Sequence, residues 1–175
     1  MKHFQFVFTG PESTGKTILS ESISNESGRP IVHEYARVYL DLLNRPYTIK
    51  DLDNIAIGQL TLETEEGLFD SEFSICDTDM TVLYIWSAYK YGVVSPIIEE
   101  ALYNNIENKF YFLCYPDLPW MPDPQRENPN DREELFDLYE KLLKELEVPY
   151  SVLKGSLEQR LIQCRQIITE RGFIM

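Results

Sequence analysis

The stretch GPESTGKT, Gly10 to Thr17, lies between the apolar run FQFVF and a helix-forming segment. Few local patterns constrain a fold more tightly. The two glycines let the backbone turn so that successive N–H groups face inward and can hold phosphate oxygens. The helix that follows adds the positive end of its dipole. In this pattern Lys16 reaches the outer phosphates and the Thr17 hydroxyl ligates magnesium. Gly10, Glu12, Ser13, Thr14, Gly15, Lys16, Thr17 and Ile18 are therefore the expected ATP-binding residues.

Around this loop the chain alternates strand and helix. Phe4–Phe8 is apolar throughout, as suits a parallel strand buried on both faces. The next expected elements are a helix from about Lys16 to Asn25, a strand at Pro30–His33 and a helix over residues 34–43. That helix places Tyr35, Val38 or Tyr39, and Leu42 on its apolar side. Thr48 with Asp51 forms a capping box, opening a helix through Asp70. Strand Phe73–Asp77, a helix ended by Gly92, a shorter one from Pro96 to Tyr103 and strand Lys109–Tyr115 follow.

Pro116 to Asn130 has five prolines and almost no apolar period, so it is a long loop, of the kind that forms functional lids. Asn130 with Glu133 caps a helix to about Glu147. Pro149–Leu153 is a last strand, and Ser156 with Gln159 caps a final helix near to Gly172. Parallel strands need crossover helices. The expectation is one domain over residues 1–175: a three-layer α/β/α P-loop NTPase fold with a five-stranded parallel sheet and a Pro-rich lid loop.

Phosphoryl transfer also needs carboxylates where the strands end. Asp77 ends an apolar strand, the place for a magnesium ligand. Asp79 is read as an N-cap, a substrate ligand, or both. Glu34 suits the attacking hydroxyl, with Arg37 one turn on to orient it or bind phosphate. Asp117 ends the fourth strand. Arg126, in the middle of the Pro-rich loop, suits charge neutralisation at the γ-phosphate. Arg132, in the first turn of the next helix, is a further ATP contact. Trp86 and Tyr84 belong to core or cleft wall. Trp120 either stacks on a substrate ring or packs the loop onto the domain. Lys16, Glu34, Asp79 and Arg126 form the expected catalytic set; Glu34, Arg37, Asp79, Trp86, Asp117 and Trp120 the substrate set; Thr17 and Asp77 the metal ligands.

The net charge of −13 and the lack of a Lys/Arg cluster argue against nucleic acid. No apolar run is long enough to span a bilayer, and the start of the chain does not read as a signal peptide. A cytoplasmic protein is expected. Cys76, Cys114 and Cys164 have neither disulfide nor zinc spacing. A homo-oligomer is left open.

GPESTGKT, EYAR (Glu34–Arg37), the DTD of Asp77–Asp79 followed by Thr81, and PDLPWMPDPQR (Pro116–Arg126) occur in that order. Together they resemble the ribosylnicotinamide kinase domains of the bacterial NAD biosynthesis regulator NadR, among the P-loop kinase-like ATPases. The resemblance implies ATP- and Mg²⁺-dependent phosphorylation of a small nucleoside, nicotinamide riboside, to the mononucleotide. It implies Lys16 and Thr17 at the phosphates and metal, Glu34, Asp77 and Asp79 around metal and ribose, Trp120 near the nicotinamide ring, and Arg126 as the lid arginine. The family's loop commonly reads W-V-x-D-G-x-R; this chain has Pro124 where glycine is usual, which stiffens the loop. The regulator's DNA-binding and adenylyltransferase parts have no counterpart in 175 residues, so a stand-alone kinase domain is expected. Two alternatives are a regulatory ATPase without a small acceptor and a kinase for another small metabolite.

Overall fold

The computed structural model describes residues 3–65 and 70–175. Its five strands are β1 (Phe4–Thr9), β2 (Ile31–Val32), β3 (Phe73–Asp77), β4 (Lys109–Cys114) and β5 (Tyr150–Leu153). They form one sheet of order β2-β3-β1-β4-β5 in which every neighbouring pair is parallel. The helices among the described residues are α1 (Lys16–Ser27), α2 (Tyr35–Leu42), α3 (Ile49–Glu63), α4 (Met80–Tyr91), α5 (Pro96–Asn104), α6 (Arg132–Glu145) and α7 (Leu157–Glu170). None is long and apolar enough to cross a membrane.

Side-chain alternation along the strands builds two cores. Phe6, Phe8, Phe73, Ile75, Phe110 and Phe112 pack under α1 and α7. Val7, Cys76, Tyr111 and Leu113 face the other way, under α2 to α6. The sheet is therefore covered on both faces, which is the three-layer arrangement expected from the alternation of elements. β1, β3 and β4 are almost wholly buried, which is why they read as continuous apolar runs.

Local capping mostly follows the sequence. Thr48 and Asp51 make their capping box, as do Ser156 and Gln159. α6 differs: its N-cap is Asp131, not Asn130, and no side chain caps it. Its start is held by Arg132, which donates to the carbonyls of Leu118 (2.9 Å) and Ser13 (3.4 Å). α3 ends at Glu63; the rest of the helix expected through Asp70 falls partly outside the described residues. On α2 the apolar assignment also shifts. Ala36 is buried while Val38 and Leu42 are exposed, because the helix packs through Tyr35, Tyr39 and Leu40. The Tyr35 ring lies over Gly58 of α3, where a Cβ would stand 2.1 Å from it.

Candidate active site

The phosphate loop runs from the end of β1 into α1. Gly10 has φ of 126°, and a Cβ there would meet the Cys114 carbonyl oxygen at 2.8 Å, so only glycine fits. Ser13 and Gly15 also take positive φ, which turns the chain back on itself before the helix. Lys16 Nζ donates to the carbonyls of Gly10 (2.9 Å) and Pro11 (2.7 Å). The loop is braced from behind by Arg160, a residue with no accessible surface. It donates to the carbonyls of Thr14 (2.8 Å), Tyr115 (2.8 Å) and Gly155 (3.0 Å), and its charge is met by Asp117. Sequence reading missed Arg160. The available signal was its phase: it shares the buried stripe of α7 with Cys164 and Ile168 at i+4 and i+8.

The loop opens into a cavity of about 310 Å³, within the size range of small-ligand sites. Gly10 to Ile18 line it. So do Glu34, Ala36, Arg37 and Leu40 of the α2 region, Val82, Ile85, Trp86, Tyr89 and Lys90 of α4, and Leu135 and Tyr139 of α6. Gln125 to Asn128 of the Pro-rich loop also contribute to the lining. The expected residues Gly10, Glu12, Ser13, Thr14, Gly15, Lys16, Thr17, Ile18, Glu34, Arg37, Trp86 and Arg126 therefore converge on one space.

Burial holds the Glu34 carboxyl above its ordinary value; Lys16 partly offsets this and Asp77 adds to it. Arg37 Nε lies 3.9 Å from Glu34 and its Nη1 3.1 Å from Asp123 of the Pro-rich loop. Burial likewise raises Asp77, against a hydrogen bond from the Thr17 hydroxyl and the charge of Lys16. Asp77 Oδ1 is buried with no hydrogen-bond partner. An orphaned carboxylate oxygen is costly, and with the Thr17 hydroxyl beside it the pair fits a divalent cation.

Asp77, Asp79, Asp117, Trp120 and Arg132 do not line this cavity; Asp77 is linked to it through the Thr17 hydroxyl. Asp79 is 1% exposed; it caps α4 through the Thr81 N–H (2.9 Å) and accepts from Lys109 (3.0 Å) and Tyr111 (2.8 Å). The cause is Thr78, which adopts φ of 74°. In an extended strand residues 77 and 79 would share a face. The left-handed step at Thr78 breaks the alternation and leaves Asp77 with Thr17 while Asp79 meets Lys109 on the other side of the sheet. Asp117 partners Arg160 and the Gly155 N–H (2.7 Å). Trp120 lies by the start of α6, with the Arg132 guanidinium 5.8 Å from its ring centre.

A parallel sheet of this strand order, with a glycine-rich phosphate loop between β1 and α1 and an aspartate ending β3, defines a P-loop NTPase-type α/β domain. A sequence family described as "AAA domain" matches residues 5–160, and the chain belongs to that family. No curated protein matches the chain by sequence. Among solved structures the chain is similar to a NadR protein in complex with NR, with TM-score 0.80 and 18% identity over 99% of this chain and 53% of that one. A NadR protein in complex with NAD and AMP-PNP gives TM-score 0.74 and 17% identity, over 99% and 50%. The chain thus spans about half the length of these NadR chains. Thymidylate kinase from Ehrlichia chaffeensis gives TM-score 0.68 and 13% identity, over 95% and 98%.

Proposed function

We propose that this protein is a nucleoside kinase that transfers the γ-phosphoryl group of ATP to a nucleoside hydroxyl, with nicotinamide riboside as the leading acceptor. One observation carries the reading. The phosphate loop, Glu34 and the aromatic side chains of Trp86, Tyr89 and Tyr139 line one cavity. A regulatory ATPase needs only the phosphate loop.

The charges favour a nucleoside over a nucleotide acceptor. Of the cations that line the cavity besides Lys16, Arg37 and Lys90 are committed to Asp123 and Glu127, and Arg126 donates to the Met121 carbonyl. Glu12 and Glu34 add carboxyl groups around the same space. A monophosphate would meet these two groups and find Arg37 and Lys90 already paired. A neutral or cationic ring suits Trp86, Tyr89 and the surrounding field. The sequence resemblance to NadR kinase domains, and the likeness of fold to a NadR protein in complex with NR, support nicotinamide riboside within that class.

In this reading Lys16 leaves the carbonyls of Gly10 and Pro11 for the outer phosphates. Thr17 and Asp77 would hold Mg²⁺, which when bound neutralises phosphate charge. Glu34 accepts the proton of the attacking hydroxyl, and the raised proton affinity that burial gives it suits that task. Arg126, from the Pro-rich loop acting as a lid, meets the charge on the transferred group. Catalysis is then mainly positioning and charge neutralisation.

The test is incubation with Mg-ATP and a nucleoside panel that includes nicotinamide riboside, with mass spectrometry of the products and Lys16→Ala as control. Phosphorylated nucleoside from the wild type alone is the expected result. ADP without a phosphorylated acceptor would replace the kinase by a regulatory ATPase.

A further inference from the structure

The Pro-rich loop is fastened to the phosphate loop at both of its ends, by two adjacent residues. Near the start of the Pro-rich loop, Ser13 Oγ accepts the Met121 N–H at 2.8 Å and donates to the Pro119 carbonyl at 3.4 Å. Near its end, the Glu12 carboxylate accepts the N–H groups of Glu127 (3.0 Å) and Asn128 (3.0 Å). Between these points the loop is tied to the cavity wall instead. Asp123 takes Arg37 (3.1 Å), Gln125 Nε2 donates to Asp41 (2.6 Å) and to the Arg37 carbonyl (3.2 Å), and Glu127 takes Lys90 (2.8 Å) and the Tyr47 hydroxyl (2.7 Å).

Residues 12 and 13 sit inside the segment whose backbone would wrap a nucleotide's phosphates. Ser13 holds its position with a positive φ, a strained arrangement that phosphate-bound N–H groups would fix more firmly. A carboxylate gripping two backbone N–H groups makes charge-assisted bonds stronger than the neutral kind. Glu12 is therefore the firmest link between the phosphate loop and the Pro-rich loop.

We propose that Glu12, seconded by Ser13, is a latch: it ties the Pro-rich loop to the phosphate loop, so that a nucleotide that orders the phosphate loop also steadies the Pro-rich loop beside the acceptor. This rests on the kinase reading above and adds its regulation. Glu12 is a positioning residue here, acting through the backbone of Glu127 and Asn128.

The experiment is amide hydrogen exchange at Glu127 and Asn128 in the full chain, with and without a non-hydrolysable ATP analogue. Without nucleotide, Glu12→Ala should speed exchange at these two amides by roughly tenfold, the worth of one charge-assisted bond, while α1 and α7 exchange as before. Glu12→Gln, which keeps one acceptor oxygen, should fall between. In the wild type the analogue should slow these amides several-fold, and in Glu12→Ala it should not. Unchanged exchange in Glu12→Ala would overturn the latch, leaving the loop held by α2 and α4 alone. Equal slowing in wild type and variant, or faster exchange with analogue, would overturn the coupling to nucleotide. Failure of the wild type to bind the analogue, read by equilibrium dialysis, would sink the kinase reading and the coupling together. The Glu12 contact would still be judged by the comparison without nucleotide.

Discussion

Lys109 Nζ lies 3.0 Å from Asp79 Oδ2, and both side chains are almost inaccessible to solvent. The same ammonium is 2.9 Å from Glu63 Oε2. One cation thus serves two buried carboxylates in the layer that supports α4, a helix that lines the cavity. Removing it strands the charge of both partners in a medium that solvates charge poorly. Lys109→Met should lower unfolding stability by about 3–5 kcal/mol. Urea denaturation should show this as a lower midpoint with an unchanged slope.

The two carboxylates are not equivalent. Asp79 is held below its ordinary value: Lys109 and the hydrogen bonds from Thr81 outweigh its burial. Glu63 has only Lys109 and a 3.4 Å bond from Gln59, and burial pushes it up. Tyr111 and Cys76, raised by the same burial, stay neutral beside them. Glu63 therefore keeps its proton to higher pH folded than unfolded. Over that interval the folded state binds more protons, so stability falls as pH rises from the ordinary carboxylate value upward. Glu63→Gln should flatten this part of the stability–pH curve. Glu34 and Asp77 shift the same way and remain in the variant, so the difference between the two curves isolates Glu63.

Glu34→Gln should lower kcat by about 10²–10⁴, the usual worth of a general base. The wild-type kcat/KM should fall as pH drops through a value above 4.5, the ordinary value that burial displaces upward. That acidic limb should vanish in the variant. A limb that persists unchanged in Glu34→Gln would move the base role elsewhere.

Arg126 lines the cavity and donates to the Met121 carbonyl across its own loop. A group that meets charge only in the transition state affects turnover more than binding. Arg126→Ala should lower kcat by roughly tenfold or more while the dissociation constant of ATP changes less. The reverse pattern, measured by steady-state kinetics beside a nucleotide titration, would assign Arg126 to ground-state binding.

The sequence alone determined the sheet, the alternation of elements and the phosphate loop. Each is encoded locally: apolar runs for buried parallel strands, capping residues for helix starts, and two glycines and a lysine at fixed spacing. It also brought Glu34, Arg37, Trp86 and Arg126 to one side of the molecule, because ligand sites in such sheets lie at the carboxyl ends of the strands. Only the tertiary structure decided which partner each strand-end carboxylate takes. Asp77 and Asp79 are two residues apart, yet one meets Thr17 and the other Lys109, because Thr78 takes a left-handed conformation. Arg160 fixes the phosphate loop from 146 positions away and claims Asp117 for itself. The latch of Glu12 on Glu127 and Asn128 spans 115 and 116 positions. The phase of Arg160 on its helix marks it as buried, but no period or motif names the partners of these contacts, since they become neighbours only when the sheet has closed.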